Sequence, residues 1–210
     1  MTAHVARDGR SRSAGARSSD PGVPLVVFDL ASVETYFLAQ PLGALSLRSE
    51  ELLWCPLASP AAALDVDRVA ALEYARKLGL PLVWPVGHPA GVGRAMRVAA
   101  LACARGFASF YVFGMTRLAF GGGADLDDPG EYLLAAEECG LDDAEVRAAG
   151  GEGSVFDREL VSAAGELARL GIDRAPVLRW EGAMYTGVAE IAPVLGAILD
   201  RDLDLLPPVG

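Results

Sequence analysis

The sequence predicts an α/β fold in which a β-α-β unit and a β-β-α unit are separated by a block of helices about 110 residues long. Three observations carry that prediction. A continuous apolar run, Pro24 to Leu30, leads through a helical segment to a second apolar run that closes at Leu57. The middle of the chain is punctuated by capping aspartates and by glycines at helix-length spacing. Near the end a β-branched run, the turn Glu181-Gly182, a partner run and a last helix follow in order.

Each element has a local reason. PLVVFDL (24–30) reads as a strand buried on both faces. After a five-residue break, Tyr36, Phe37 and Leu38 open a helix that reaches about Leu47. A second strand is expected at Leu52–Leu57, ended by Pro56 and a run of small residues, and the crossover between parallel strands should be right-handed. Asp65 or Asp67 caps a helix carrying Val69, Leu72, Tyr74, Ala75 and Leu78, closed by Gly79. A proline-rich loop runs from Pro81 to Gly93. Helices follow over Arg94–Arg105, ended by Gly106, and over Ser109–Phe120, ended by Gly121, Gly122 and Gly123. Asp128-Pro129 starts another that ends at Cys139-Gly140, and Asp157–Leu170 is the last of the block. Pro176–Trp180 and Ala183–Thr186 form a hairpin, and a helix runs from about Ala189 to Leu199.

Composition sets the class. The chain has 210 residues, 52% of them apolar, with 18 basic and 28 acidic residues for a net charge of −10. A chain this apolar forms a real core, and one this acidic repels nucleic-acid phosphates and anionic membranes, so neither is an expected partner. Lys77 is the sole lysine. Asp29, Glu34 and Arg48 interrupt the most hydrophobic stretch before it reaches the ~18–20 residues that a membrane helix needs. Cys55, Cys103 and Cys139 lack CxxC spacing, and His4 and His88 add no cluster, which argues against a disulfide framework, a zinc site and a dithiol motif together. A cytoplasmic protein is the expectation. Residues 1–22, rich in Arg and Ser, read as a tail outside the domain, without a secretory signal core. The domain is expected over 23–200, with its helical insertion at about 62–171, and 201–210 as a second tail.

Two segments carry a family likeness. FDLASVETYFLA, from Phe28 to Ala39, resembles the FDF-S-SP-x-S-Y-L-A segment of 2-hydroxychromene-2-carboxylate isomerases and kappa-class glutathione transferases. GIDRAPVLRWEG, from Gly171 to Gly182, is similar to their G-V-x-G-V-P-T-F-V-V-D-G. YARKLGLP, from Tyr74 to Pro81, and Ala95-Met96-Arg97 lie between them where the family has similar stretches, so the likeness spans about residues 24–199. The family belongs to the DsbA-like branch of the thioredoxin superfamily. The resemblance therefore implies a thioredoxin-like fold with a DsbA-type all-helical insertion between the βαβ and ββα halves.

It also implies a site. Ser32 falls on the family's catalytic serine, which holds the glutathione sulfur. A hydroxyl at a helix N-terminus donates to a thiolate that backbone amides and the helix dipole also favour. Read from the residues alone, a serine at a strand-to-helix junction is in the first place an N-cap. Pro176 falls on the superfamily's cis-proline, and Ala175 before it on the residue whose backbone receives the cysteine part of glutathione. Ser32-Val33-Glu34-Thr35 occupies the place of the redox CxxC and has no cysteine, so thiol–disulfide exchange is excluded there.

The chain departs from the family at Val33, at Gly91 and at Val188-Ala189-Glu190, where relatives carry polar residues that grip the γ-glutamyl end of glutathione. Charge-assisted contacts of this kind are worth roughly 1.5–3 kcal/mol each, so losing two weakens affinity a hundredfold or more. The expectation is a glutathione-dependent isomerase or transferase that pairs as a homodimer and acts on a small aromatic or conjugated substrate. The rival is a non-catalytic domain that kept the scaffold and binds a ligand or a protein.

Other residues have both a functional and a plain reading. His88 is a base or carboxylate binder, or a surface group. Arg94 and Arg97 bind an anionic substrate, or are exposed or salt-bridged. Cys55 is a reactive thiol near the site, or an inert buried one. Trp54, Trp84 and Trp180 read as core or pocket wall. The glycines 121–123 and the acids Asp125, Asp127 and Asp128 read as a helix stop and a helix cap rather than a phosphate loop or a calcium loop.

Overall fold

A computed structural model describes residues 22–44, 52–58, 66–88 and 92–199. In chain order the elements are β1 (Leu25–Phe28), α1 (Val33–Ala44), β2 (Leu53–Pro56), α2 (Arg68–Lys77), α3 (Gly93–Arg105), α4 (Ala108–Thr116) and a π-helical turn (Arg117–Gly121). Then come α5 (Pro129–Glu138), α6 (Asp143–Gly150), α7 (Val155–Arg169), β3 (Val177–Trp180), β4 (Ala183–Thr186) and α8 (Gly187–Leu199). The expected tails and the Gly91 position lie outside the described residues, as does the stretch after Ala44 into which the first helix was expected to run.

The four strands form one sheet in the order β2-β1-β3-β4. β1 pairs parallel with β2, with Val26 opposite Trp54, and antiparallel with β3, with Val26 opposite Leu178. Removing the helices between β2 and β3 leaves βαβ and ββα halves, the thioredoxin-like arrangement with an inserted helical block. Side-chain alternation along β1 divides the core. Val26 and Phe28 face the large cluster built with α1, α3, α4 and α8. Leu25 and Val27 face a smaller one with Cys55, Leu57, Leu167 and Ile172.

Local chemistry accounts for the element ends. Asp67 caps α2 by accepting from the Val69 and Ala70 amides, Asp128 caps α5 with Pro129 at its first position, and Gly106 ends α3 in the left-handed region at φ 80°. Glu181 and Gly182, at φ 48° and 81°, form the two-residue turn whose twist suits a hairpin.

Five expectations need correction. α1 begins at Val33, not Tyr36, because seven of the ten side chains from Val33 to Leu42 are buried and no amphipathic period marks its start. α6 went unread: it is a single short helix, capped by Asp142 accepting from the Glu145 amide, and it contributes only Val146, Ala149 and Gly150 to the interior. The helix expected to Phe120 changes to π-type hydrogen bonding at Arg117. On α2 the buried positions are Ala71 and Ala75, while Val69 and Leu72 face outward. α8 also starts two residues early, at Gly187.

Candidate functional site

The β1–α1 junction is wired by its own side chains. Asp29 accepts from the Ala31 amide at 2.9 Å, and its own amide donates to Thr35 Oγ1 at 3.3 Å. The Ser32 amide donates to the Asp29 carbonyl at 3.0 Å, and the Tyr36 amide donates to the Ser32 carbonyl at 3.3 Å, the first bond of α1. Ser32 Oγ accepts from the Thr35 amide at 3.4 Å. Ser32 is thus the N-cap of α1, as its residue type alone suggested, and the long bond leaves its hydroxyl hydrogen free to rotate toward a ligand.

That hydroxyl opens on a cavity of about 610 Å3. Ser32, Val33, Glu34 and Phe37 contribute from α1, and Ala70, Ala71 and Tyr74 from α2. Asp173, Arg174 and Ala175 contribute from the loop before β3, and Val188 and Ala189 from α8. The Ala175–Pro176 peptide bond is cis, as the resemblance implies. Ser32 and Ala175, 143 positions apart in sequence, therefore share one cavity wall.

The cavity is largely apolar, and its charges are mostly negative. Asp67 lies at its edge and is occupied by its cap. Asp173 pairs with Arg174 at 3.5 Å. Glu34 forms no hydrogen bond or ion pair among the described residues, and partial burial holds its carboxyl above the usual carboxylate range. The Tyr74 phenolic oxygen is buried without a hydrogen-bond partner among the described residues. Burial, then the nearby Glu34 charge, raise its pKa. Sequence reasoning left Glu34 and Tyr74 out of the site. Glu34 sat inside the serine segment and Tyr74 inside a helix pattern, and only the packing of α1 against α2 puts both on one wall.

Val188 is buried, and Glu190 Oε2 accepts from the Thr186 amide at 2.9 Å and from Thr186 Oγ1 at 3.4 Å. The Glu190 carboxylate is thus turned back onto the start of its own helix. The remaining candidates sort plainly. His88 lies beneath the site, its Nε2 2.7 Å from the Ala31 carbonyl and its ring against Trp84 and Phe120. Arg97 is structural: its Nε meets Asp157 Oδ1 at 2.5 Å and its Nη1 donates to the Gly150 carbonyl at 3.1 Å. The Arg94 amide donates to Asp127, Asp125 accepts from the Asp127 amide and Asp128 from the Gly130 amide. Among the described residues no group of three or more histidines, cysteines, aspartates or glutamates is placed to hold a metal ion.

Cys55 points to the α7 side of the sheet, in the smaller core cluster, and burial pushes its thiol up to about 12. It takes no part in the cavity. Trp54 packs edge-on to Phe28 in the core, and Trp84 lies under the Arg68 guanidinium. Among the described residues no helix is long and apolar enough to cross a membrane.

The sheet order, the helical block and the serine-bearing β1–α1 junction beside a cis-proline define a thioredoxin-like domain of the DsbA-like type. Comparison with solved structures supports that fold. The chain is similar to a 2-hydroxychromene-2-carboxylate isomerase, with a TM-score of 0.68 and 18% identity over 88% of this chain and 100% of that one. It is similar to a probable DsbA oxidoreductase from Streptomyces coelicolor, with a TM-score of 0.60 and 18% identity over 89% of this chain and 92% of that one. It is also similar to the cytosolic disulfide reductase DsbM from Pseudomonas aeruginosa determined with GSH, with a TM-score of 0.58 and 18% identity over 85% and 94%. No family model matches the sequence, and no curated protein matches it.

Proposed function

We propose that this chain is a non-redox small-molecule enzyme of the isomerase or transferase type, with a thiol compound docking its sulfur at Ser32 and a conjugated, largely apolar substrate in the adjoining cavity. The observation that carries this reading is the shared wall formed by Ser32, the first turn of α1 and Ala175, set against an apolar chamber of about 610 Å3. A thiol bound there supplies a reversible nucleophile. The Ser32 hydroxyl donates to the sulfur, the free amides at the start of α1 favour its anionic form, and the backbone at Ala175 lies within the same chamber. Val33, Phe37, Val66 and Val188 keep water from the substrate.

Glutathione fits this site at one end only. Its sulfur meets Ser32, but its two carboxylates meet Glu34, Asp67 and Asp173, with Arg174 the one cation on the wall among the described residues and already beside Asp173. Val188 and Ala189 offer no side-chain polar contact. A less anionic thiol suits the chamber better. The same features favour the second reading, a non-catalytic binding domain, because Ser32 already serves α1 as its cap.

Calorimetric titration with glutathione and with its uncharged-carboxylate diethyl ester, on the full chain and on Ser32→Ala, tests the proposal. The expected result is tighter binding of the ester, lost in the variant. No heat with either thiol sinks the thiol-dependent enzyme and leaves the binding domain.

A further inference from the structure

Glu34 stands at the first turn of α1, with its side chain open to the cavity and its carboxylate unpaired among the described residues. Glu34 is exposed along the open side of the chamber, and partial burial of its carboxyl disfavours its charge, so a cationic partner there would stabilise the carboxylate. Around it the wall is aromatic and aliphatic: the Tyr74 and Phe37 rings lie 5.0 Å apart, and Val66 and Ala70 extend the same surface. Gly187 makes room for the carboxylate, because a Cβ built there would sit 3.3 Å from Glu34 Oε2. The other cavity carboxylates are engaged, Asp67 in its cap and Asp173 beside Arg174.

The geometry points to a ligand subsite at Glu34 for an organic amine, its ammonium group bound by the Glu34 carboxylate and its apolar body held against Tyr74 and Phe37. Three physical terms favour that class. A carboxylate–ammonium bond is charge-assisted and stronger than a neutral one. The excess of carboxylates over guanidinium in the chamber raises its affinity for cations and lowers it for anions. Aromatic faces add a cation–π contribution where water is excluded. This deepens the proposed function by naming the substrate's polar group. It rests on that reading only in taking the cavity as the ligand site, and it is independent of the thiol.

The test titrates the full chain with 2-phenylethylamine, 2-phenylethanol and 3-phenylpropionate, probes of similar size carrying a cation, no charge and an anion. The amine is expected to bind at least tenfold tighter than the anion, with the alcohol between. Glu34→Gln should remove that preference, while Glu34→Asp, which keeps the charge on a shorter arm, should retain part of it. Circular dichroism confirms that each variant is folded. Equal affinities for the three probes, an unchanged preference in Glu34→Gln, or no binding of the amine would each overturn the inference. A titration with N-acetylcysteine ethyl ester, a thiol with no ammonium group, run beside it on the full chain and on Ser32→Ala reports on the thiol site without engaging Glu34, so failure of the amine subsite and failure of the thiol site are read separately.

Discussion

His88 Nε2 lies 2.7 Å from the carbonyl oxygen of Ala31, the residue before Ser32, although the two are 57 positions apart. A carbonyl only accepts, so Nε2 carries the proton and donates. The imidazole also packs against Trp84 and Phe120, with ring centroids 5.1 and 5.5 Å away. The histidine therefore secures the turn that presents Ser32, a part neither of its two sequence readings contained.

Replacing His88 with Ala removes one hydrogen bond to a part-buried carbonyl and two ring contacts. The expected loss is about 1–3 kcal/mol of stability. Urea unfolding measures it, and a Ser32-dependent ligand should bind more weakly to the folded variant. An unchanged midpoint would show that the turn holds its shape without the imidazole.

Glu34 sets a pH dependence whose sign is fixed. Its folded-state pKa is raised by burial, so its contribution to stability is fully present below the unfolded value and is lost as pH rises through the folded one. Glutamine does not titrate. Glu34→Gln should be more stable than the parent at pH 7, and the gap should close as pH falls through the folded-state pKa. Thermal unfolding from pH 4 to pH 8 gives the answer, and a gap that widens toward acid contradicts it.

The thiols should be inert. Cys55 and Cys139 are both pushed up to about 12, chiefly by burial, which leaves roughly one thiolate in 10,000 at pH 8. Cys103 is buried as well. A chromogenic thiol titration of the native chain should find almost no rapid reaction, and the denatured chain should release all three equivalents. Insulin reduction should be absent, and measurable turnover would reinstate a redox role.

Two glycines should respond oppositely to alanine. Gly187 lies at φ 71° with Glu34 Oε2 in the way of a Cβ, so Gly187→Ala should cost about 1–2 kcal/mol and displace the carboxylate. Gly165, inside α7 with open space around it, should gain about 0.5–1 kcal/mol from the same change. Differential scanning calorimetry of both variants decides, and a stabilised Gly187→Ala would mean that the start of α8 relaxes freely.

Most of the fold was legible because its signals are local. Asp128 and Gly106 end their helices where the chain alone placed them, Asp67 proves to be the cap of the two aspartates offered, the Glu181-Gly182 turn joins the expected strands, and β1 is the strand buried on both faces that its run predicts. The signals that failed were also local. α1 is mostly buried and has no amphipathic period to mark its start, and α6 is too short and too polar to stand out.

Of the site, the sequence by itself determined Ser32 as a helix cap, the absence of a CxxC pair and, through the likeness, the proline that proves to be cis. Tertiary structure alone decided that Ser32, Glu34, Tyr74 and Ala175 line one chamber, that Arg97 belongs to Asp157, that Glu190 folds back on Thr186 and that Cys55 faces the opposite side of the sheet. The division has one physical cause. Caps, turns and strand propensity are set by residues within a few positions of each other, whereas a cavity is made by side chains brought together only when helices from distant parts of the chain pack on a common sheet.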